Sequence, residues 1–415
     1  MAKKKVGKKN IAQIRRNGVV RIAVVGTGGM GRAHCGSIPS IPNAKLTAVC
    51  DANPASAAEV GKQWGVPHFN DHRELIKANL CDMITIATPH PLHMQVAVDA
   101  MNAGLHVLTE KPLTESVATA EKMVQAAKRN NVVFTVMFQL RFSRNIVKAR
   151  ELIEGGHIGD VHRTMLVDLQ YRRQSYYDAG RWRATWRGEG GGVMMNQSPH
   201  LIDLFVQLGG MPSEVFGITT TRMHKIEVED QAEALLRYPN GAVGYLFCST
   251  CEKAPGQTIE ICGDKGKLFL RDGKLSFYQY HPSISEHIMK PEDMWGSPDV
   301  WEVPIVSKLP RLPYTDYEDF DHTPPAFDVS PADVIGNMVE HILSDTPLVT
   351  PGESGMGSLE LANAITLSSH EGSWVKLPIS RVKYAALLEK LRRSSKGVKK
   401  NVREQQATDP RIMAK

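Results

Sequence analysis

Short apolar runs alternate with amphipathic stretches over the first third of the chain. The apolar runs predict strands at residues 19–25, 46–51, 82–88, 106–109 and 132–137, with helices predicted at 31–37, 55–64, 92–103 and 115–130. Strands that are apolar throughout are typical of parallel sheets buried on both faces. Alternation of strand and helix at this spacing predicts a doubly wound parallel sheet with right-handed crossovers.

The rhythm changes after about residue 145, where longer strands follow one another through tight turns. Pro239-Asn240-Gly241 and Asp272-Gly273 are hairpin signals. The strands are predicted at residues 161–171, 214–222, 231–238, 242–250, 257–262 and 267–271, and the helices at 145–154, 197–208, 331–344 and 355–370. This part predicts an α+β domain with a mostly antiparallel sheet, whose helices cover one face and leave the other for a partner subunit. Residues 280–330, rich in proline, aspartate and aromatics, are predicted as a long surface excursion.

Composition places the 415 residues in the ordinary globular class, with 42% hydrophobic residues and a net charge of +6. Much of the positive charge lies near the ends, so residues 1–18 are predicted as a basic disordered tail and 379–415 as a basic helix or tail. No basic groove interleaved with aromatics appears in the body, which argues against a nucleic-acid partner. The chain shows no secretory signal and no apolar run long enough for a membrane span, so a cytoplasmic location with reduced thiols is expected. Cys248 and Cys251 form a single C-x-x-C pair without a second one, so no metal site is predicted.

A glycine-rich loop follows the first predicted strand directly. Gly26-Thr27-Gly28-Gly29-Met30-Gly31 fits the G-x-G-x-x-G pattern, in which glycines permit a tight turn, backbone approach to a pyrophosphate and close packing of helix on strand. Asp51 ends the second strand, where an acid binds the ribose hydroxyls. Because a carboxylate repels a 2′-phosphate, Asp51 favours NAD over NADP.

Three further motifs resemble those of the Gfo/Idh/MocA oxidoreductases, the family of glucose–fructose oxidoreductase and inositol dehydrogenase. They are Thr88-Pro89-His90-Pro91-Leu92-His93, the segment 103–112 that ends in Glu110-Lys111-Pro112, and the segment 190–203 that begins with three glycines. The resemblance covers roughly residues 19–378. It implies an N-terminal Rossmann domain (19–145) and a C-terminal substrate-binding and oligomerisation α+β domain (146–378) with a large, mostly antiparallel open sheet. It also implies a homo-oligomer, dimer or tetramer, formed through that sheet.

The resemblance assigns catalysis to Lys111 and His200. Lys111 is similar to the family lysine that contacts the reacting hydroxyl and the nicotinamide ribose, and His200 matches the family's catalytic histidine, a candidate general base. Glu110 is expected to orient Lys111 or close the local turn, and Pro112 to shape the backbone there. Thr88, Pro89 and His93 match positions beside the cofactor.

Asn196 departs from the family pattern, because many sugar dehydrogenases of the family carry aspartate four residues before the histidine. An amide cannot stabilise an imidazolium as a carboxylate can. Three readings stay open: His200 works without a charged partner, Lys111 carries more of the proton transfer, or Asn196 holds a substrate hydroxyl.

Other candidate substrate contacts are predicted around the expected cleft. Aromatic faces stack on the C–H surfaces of sugars, and guanidinium groups bind vicinal hydroxyls or acids. The candidates are Asn196, Asp203, Gln139, Arg141, Tyr171, Trp186 and Arg187.

The sequence therefore predicts an NAD-dependent oxidoreductase acting on a secondary ring hydroxyl of a sugar, cyclitol or glycoside, with C3 of a glycoside as a refinement. One alternative is an NAD-dependent glycosidase that oxidises a ring hydroxyl transiently and eliminates the aglycone. A second is a non-catalytic protein that senses NAD. The substrate, the reaction direction and the number of subunits do not follow from the sequence.

Overall fold

The computed structural model describes residues 11–180, 182–253, 256–291, 294–305 and 328–396. The strands are β1 (Val20–Val25), β2 (Ala44–Cys50), β3 (His68–Phe69), β4 (Met83–Ile86), β5 (His106–Thr109), β6 (Phe134–Val136), β7 (Val161–Leu169), β8 (Glu214–Thr220), β9 (Gln231–Arg237), β10 (Val243–Ser249), β11 (Gln257–Gly263), β12 (Gly266–Arg271), β13 (Lys274–His281), β14 (Asp299–Val303) and β15 (Val375–Lys376). The helices are α1 (Ile11–Asn17), α2 (Gly29–Ser37), α3 (Pro54–Trp64), α4 (His72–Ala78), α5 (His90–Asn102), α6 (Val117–Asn130), α7 (Arg144–Glu154), α8 (Gln174–Asp178), α9 (Val193–Asn196), α10 (Pro199–Gly209), α11 (Ile284–Ile288), α12 (Pro331–Ser344), α13 (Met356–Glu371) and α14 (Arg381–Ser394). Over these ranges, no helix combines the length and the apolar character that a membrane crossing requires.

The first sheet has six parallel strands in the order β3-β2-β1-β4-β5-β6, which confirms the predicted doubly wound domain. The strand order reverses between β1 and β4, and ligands of such sheets bind at that switch point, beyond the carboxyl ends of the strands. The glycine loop follows β1 there, Asp51 follows β2, Thr88 follows β4 and Glu110 follows β5.

The second sheet has nine strands in the order β14-β13-β12-β11-β7-β10-β9-β8-β15. Its described pairs are antiparallel except β7 with β10, which confirms the mostly antiparallel prediction. α10 and α13 pack on one face, against β7 and β8. Leu246, Ile259 and Leu268 of the sheet lie in one buried cluster with Phe205 of α10 and Ile365 of α13. The packing fixes α10, which carries His200, against the second sheet.

α12 belongs with the first sheet, although its position in the sequence suggested the second domain. Its apolar side chains lie in one buried cluster with Ile22 and Val24 of β1. α1 joins the same cluster through Ile14, and Arg15 Nε donates to the carbonyl of Ile342 at 2.9 Å. Residues 11–17 were predicted as part of a disordered tail, but Ile14 gives α1 an apolar contact that anchors it. Three apolar residues, Ile11, Ala12 and Ile14, next to a basic segment were too weak a signal.

The predicted surface excursion at residues 280–330 is partly regular. The end of β13, helix α11 and strand β14 lie in it, and β14 extends the sheet by pairing with β13. Residues 306–327 lie outside the described ranges, as do 1–10 and 397–415 of the predicted tails.

Candidate active site

The glycine loop has the shape that a dinucleotide requires. Gly26 has φ +94°, and a Cβ there would lie 2.5 Å from the carbonyl oxygen of Ala87. A Cβ on Gly31 would lie 1.7 Å from the carbonyl oxygen of Gly26, so α2 approaches β1 too closely for any side chain. Gly28, in contrast, faces open space, with no heavy atom within 4 Å of its would-be Cβ. The protein's own packing therefore demands glycine at two positions and leaves the third clear for a ligand.

Two polar groups flank the loop. The Asp51 carboxylate accepts hydrogen bonds from the backbone N–H of Thr27 at 2.7 Å and of Asn53 at 2.8 Å, so it also braces the loop. Thr88 Oγ1 is buried without a hydrogen-bond partner among the described residues. An orphaned buried hydroxyl at this edge fits a missing polar ligand. Gly29 and Met30 begin α2, whose N-terminus faces the same space.

Lys111 is held by a buried scaffold. Glu110 accepts the backbone N–H of Lys111 at 3.2 Å and binds His34 Nε2 of α2 at 2.7 Å. His93 is fully buried, and its ring faces the carbonyl oxygens of Thr88 at 2.8 Å and Pro112 at 3.0 Å. Burial lowers the pKa of His93, so the neutral ring has one N–H and donates to one of these two carbonyls, packed between the segments that carry Thr88 and Pro112. Its predicted contact with the cofactor stays a prediction.

The Lys111 ammonium extends from this scaffold to the second domain. Its Nζ donates to the backbone carbonyl of Asn196 at 2.8 Å, which joins the two domains. Burial lowers the pKa of Lys111, with Glu110 opposing the shift and Arg183 and Arg172 adding to it. A lysine of lowered pKa can exchange a proton closer to neutrality.

His200 lies in the first turn of α10. Its Nδ1 is buried without a hydrogen-bond partner among the described residues, which leaves Nε2 as the nitrogen able to exchange a proton with a ligand. Burial, reinforced by the Lys111 ammonium, lowers the pKa of His200 to about 3. The ring is therefore neutral near pH 7, and its edge packs against Phe138 with centroids 5.7 Å apart.

Glu189 is a buried carboxylate that the sequence reasoning missed. It is 1% exposed, and it accepts the side-chain N–H of Asn196 and the backbone N–H of Ala184 at 2.6 Å. Burial raises the pKa of Glu189 to about 7, against the pull of Arg183. An acid directly before a glycine run was the only local signal, and it gave no indication that Glu189 meets Asn196.

Arg141 and Asp203 pair with each other. The guanidinium makes two hydrogen bonds to the carboxylate, Nε to Oδ2 at 2.7 Å and Nη2 to Oδ1 at 2.6 Å, and Nη1 donates to Ser354. Their side chains are only 3% and 1% exposed. The sequence predicted both as substrate contacts, but here each charge is engaged by the other and turned away from solvent.

The remaining predicted substrate residues fall into two groups: Trp186 and Arg187 bind other parts of the protein, whereas Tyr171 and Gln139 keep groups that a ligand can contact. Trp186 is buried, and its Nε1 donates to the carbonyl of Glu227 at 2.9 Å. Arg187 donates to the carbonyl of Arg392 in α14 at 3.2 Å, and the ring of Trp186 packs against His370 of α13. Tyr171 is 49% exposed, and Gln139 keeps a buried Oε1 without a partner among the described residues. Tyr171 and Gln139 remain candidates for contact with a substrate.

Aromatic and cationic side chains form one wall beside Lys111. Arg183 packs over the rings of Trp182 at 4.7 Å and Tyr176 at 4.4 Å, and Trp182 meets the ring of His90 edge-on. Gln197, next to Asn196, donates to the hydroxyl of Tyr176 at 3.2 Å. The sequence indicated this segment by its density of Tyr, Trp and Arg, but not which members face Lys111.

Glu229 holds the glycine run in place. Its Oε1 accepts the backbone N–H of Gly192 at 2.8 Å and of Met194 at 3.3 Å. A Cβ on Gly192 would lie 1.8 Å from the carbonyl oxygen of Glu229. Glycine is therefore obligatory where this loop passes Glu229, and the contact sets the start of α9, the helix that ends at Asn196.

His224, Asp230 and Cys251 form a compact group elsewhere in the second domain. His224 Nδ1 binds Asp230 Oδ2 at 2.9 Å, and the same carboxylate accepts backbone N–H groups of residues 222, 223 and 224. His224 Nε2 faces the carbonyl of Arg172 at 2.9 Å. With its ligand atoms already engaged, the group serves as a lock on the turn before β9.

A parallel sheet with an open glycine cradle, an acid after β2 and a lysine beside the switch point define an NAD-binding oxidoreductase of the Rossmann type. The sequence profile of the oxidoreductase family with an NAD-binding Rossmann fold matches residues 20–138, and that of the GFO/IDH/MocA C-terminal domain matches residues 146–269. The chain belongs to the GFO/IDH/MocA family, as its motifs predicted, and it is an NAD-dependent enzyme of that family.

Characterised relatives share the family. The levoglucosan dehydrogenase of Pseudarthrobacter phenanthrenivorans is 27% identical over 287 residues, which covers 60% of this chain and 73% of the relative. The myo-inositol 2-dehydrogenase of Thermotoga maritima is 27% identical over 264 residues, covering 60% and 75%. Among solved structures, the WlbA dehydrogenase of Bordetella pertussis in complex with NADH and UDP-GlcNAcA superposes with a TM-score of 0.70 at 27% identity, covering 87% of this chain and all of that one.

Proposed function

We propose that this enzyme transfers hydride between NAD and a secondary ring hydroxyl of a sugar, cyclitol or glycoside. The observation that carries the proposal is the meeting of Lys111, from the NAD-binding domain, with the Asn196–His200 segment of the second domain. The relatives named above are a levoglucosan and an inositol dehydrogenase, and one structural neighbour holds a nucleotide sugar. Each of these compounds carries secondary hydroxyls on a ring.

Oxidation of such an alcohol removes hydride from carbon and a proton from oxygen, and a carbonyl group remains. Bound NAD supplies the hydride acceptor; Gly28, Asp51 and Thr88 are the residues proposed to hold it. A neutral Lys111 amine accepts the hydroxyl proton, since burial lowers its pKa. In the reverse direction the ammonium returns that proton to the carbonyl oxygen.

His200 has a different part in this scheme. With a pKa of about 3, it is neutral near pH 7 and a weak proton acceptor. We assign it hydrogen bonding to the reacting hydroxyl through Nε2, which orients the oxygen toward Lys111. The surroundings of Lys111 and His200 favour Lys111 over His200 as the group that carries the proton, and they leave Asn196 available to hold a substrate hydroxyl.

The aromatic and cationic wall supports a substrate larger than a free monosaccharide. The rings of Tyr176 and Trp182 and the guanidinium of Arg183 suit stacking on a sugar face and binding of hydroxyl or acidic groups. We therefore favour a glycoside or an acidic sugar, with oxidation at C3 of a glycoside as the finer proposal.

The test is a panel of polyols, sugars and glycosides with NAD, followed by absorbance of the reduced nicotinamide. Turnover that falls by roughly 10²- to 10⁴-fold in Lys111→Met while NADH binding persists is the expected result. Release of an aglycone with only catalytic NAD would instead establish the glycosidase alternative. Absence of turnover with every member, together with full biological function of Lys111→Ala, would overturn catalysis and favour an NAD-sensing role.

We also propose that the open face of the second sheet joins subunits. Apolar side chains on β8, β9 and β10 point away from the covering helices and remain exposed, namely Ile218 (44%), Leu235 (52%), Val243 (54%) and Tyr245 (37%). An exposed apolar area of this kind is typical of a protein interface. Light scattering should show a dimer or tetramer that Leu235→Arg dissociates, whereas the exposed Val382→Arg in α14 should leave it intact. A monomeric wild type would overturn the proposal.

A further inference from the structure

Asn196 contacts both Glu189, through its side chain, and the ammonium of Lys111, through its backbone carbonyl. Its Nδ2 donates to Glu189 Oε1, while the backbone carbonyl of the same residue accepts from Lys111 Nζ at 2.8 Å. Asn196 is half-buried, whereas Glu189 is 1% exposed. The amide is therefore the outer member of a buried pair, placed next to the lysine.

An ionised carboxylate only accepts hydrogen bonds, so Glu189 requires the amide nitrogen of Asn196 to face it. The amide oxygen then points the other way. No described residue donates to Asn196 Oδ1, and this atom is not among the buried orphans. The arrangement leaves one hydrogen-bond acceptor without a donor among the described residues, on the residue whose backbone carbonyl binds Lys111.

Glu189 is itself fixed by three other bonds. Its Oε2 accepts the backbone N–H of Ala184 at 2.6 Å, its own N–H donates to the carbonyl of Thr185 at 2.9 Å, and its carbonyl accepts from His90 Nδ1 at 3.0 Å. These anchors come from the preceding loop and from α5. A carboxylate held so rigidly can impose an orientation on its partner.

We propose that Glu189 is a positioning residue that locks the Asn196 amide with Oδ1 toward the cleft, where it accepts a hydrogen bond from a substrate hydroxyl beside the reacting one. The inference rests on the proposed function. It explains how Asn196 can stand where many family members carry aspartate: in this chain the carboxylate is that of Glu189. Nothing in the Gly190–Gly192 motif itself assigns Glu189 a role.

The charged and titratable groups facing Glu189 come from several elements: Lys111 after β5, Arg183 in the preceding loop, Glu229 before β9, Tyr177 of α8 and His90 of α5. Burial raises the pKa of Glu189 to about 7, and Arg183 and Lys111 limit the rise. Above that pH the ionised carboxylate holds the amide in one orientation. Below that pH, a protonated Glu189 can donate a hydrogen bond to the amide oxygen of Asn196, so the amide is free to flip by 180°.

The first experiment compares Glu189→Gln with the wild type in turnover and NADH binding. We expect NADH affinity within about twofold, and a rise in substrate KM of about three- to tenfold, as for the loss of one oriented hydrogen bond. The part of the low-pH decline of kcat/KM that comes from Glu189, near pH 7, should disappear, whereas the part that comes from Lys111 should stay. Glu360→Gln is the matched control, because Glu360 is also a buried glutamate that binds a backbone N–H and an arginine, but in a different place. It should leave KM and the pH profile unchanged.

The second experiment exchanges the two groups. Asn196→Asp alone sets two carboxylates side by side and should impair activity, whereas Asn196→Asp combined with Glu189→Gln restores a donor–acceptor pair with an acceptor still facing the cleft. We expect the double variant to recover most of the KM. Unchanged KM and pH profile in Glu189→Gln, or no recovery in a folded double variant, would overturn the proposal.

A third measurement does not depend on turnover. The side-chain amide signal of Asn196 in ¹⁵N-asparagine-labelled protein should shift with a midpoint near pH 7 and lose that titration in Glu189→Gln. If the titration is present but no alcohol is oxidised, the Glu189 lock stands and the proposed function fails. If alcohols are oxidised but the amide does not titrate, the lock fails and the proposed function stands.

Discussion

Arg141 and Asp203 form a bidentate ion pair that is almost completely buried, with N–O distances of 2.7 Å and 2.6 Å. Arg141 lies at the end of the NAD-binding domain, and Asp203 lies in α10, three residues after His200. The pair therefore joins that domain to α10. Since Ser354 also binds the guanidinium, three distant parts of the chain meet at one side chain. The contact fixes the helix that carries His200 against the domain that carries Lys111.

Arg141→Met should destabilise the protein by about 3–5 kcal/mol, because it leaves the Asp203 charge buried without a partner. Chemical denaturation measures the loss. Arg150→Ala is the control, since Arg150 and Glu154 form an exposed pair on α7 that contributes at most about 0.5 kcal/mol. The double variant Arg141→Met with Asp203→Leu should cost less than the single one. A double variant that is worse than the single would contradict this account.

Substitutions in the glycine loop should separate folding from cofactor binding. Gly28→Ala places a methyl group in open space, so the free energy of unfolding should change by less than about 1 kcal/mol while NADH binding weakens at least about tenfold. Gly31→Ala drives a methyl group into the Gly26 carbonyl and should reduce both. Thermal denaturation and NADH fluorescence titration read the two effects. Equal NADH affinity in Gly28→Ala and wild type would show that the pyrophosphate does not pass there.

Asp51 should determine cofactor choice. The wild type should bind NADPH at least about 100-fold more weakly than NADH, because a like charge beside the 2′-phosphate costs several kcal/mol. Asp51→Ala should narrow the gap, with some loss of NADH affinity as well, since Thr27 loses its acceptor. Titration with both nucleotides measures this. Equal affinities in the wild type would refute the assignment.

The pH profile should identify the proton acceptor. Lys111 must be neutral to accept a proton, and its pKa is lowered, so oxidation should rise with pH through a midpoint below its usual 10.5 while reduction falls. His200, with a pKa of about 3, does not titrate in this range. His200→Gln should therefore slow turnover and keep the midpoint, whereas Lys111→Met should remove it and lose roughly 10²- to 10⁴-fold in rate. A midpoint that disappears in His200→Gln would assign the base to His200 instead.

Much of this protein is determined locally. The parallel sheet, the glycine loop and the acid after β2 follow from patterns within about 30 residues, because a βαβ unit and its turn are built from neighbouring segments. Six strands of the second sheet, β7 to β12, also follow from alternation and turn residues, whereas β13, β14 and β15 were not predicted. The Lys111 and His200 motifs were recognised by their resemblance to those of the Gfo/Idh/MocA family.

The tertiary structure decided which buried groups meet. Periodicity shows that α12 has an apolar side but not that β1 covers it, and composition shows acids and arginines but not that Arg141 pairs with Asp203. Glu189 became visible only when the loop around it placed its carboxylate on Asn196. Which charges and amides pair across long stretches of chain depends on their burial and on the distance between them in the fold. Neither the burial nor the distance can be read from the spacing of residues along the sequence.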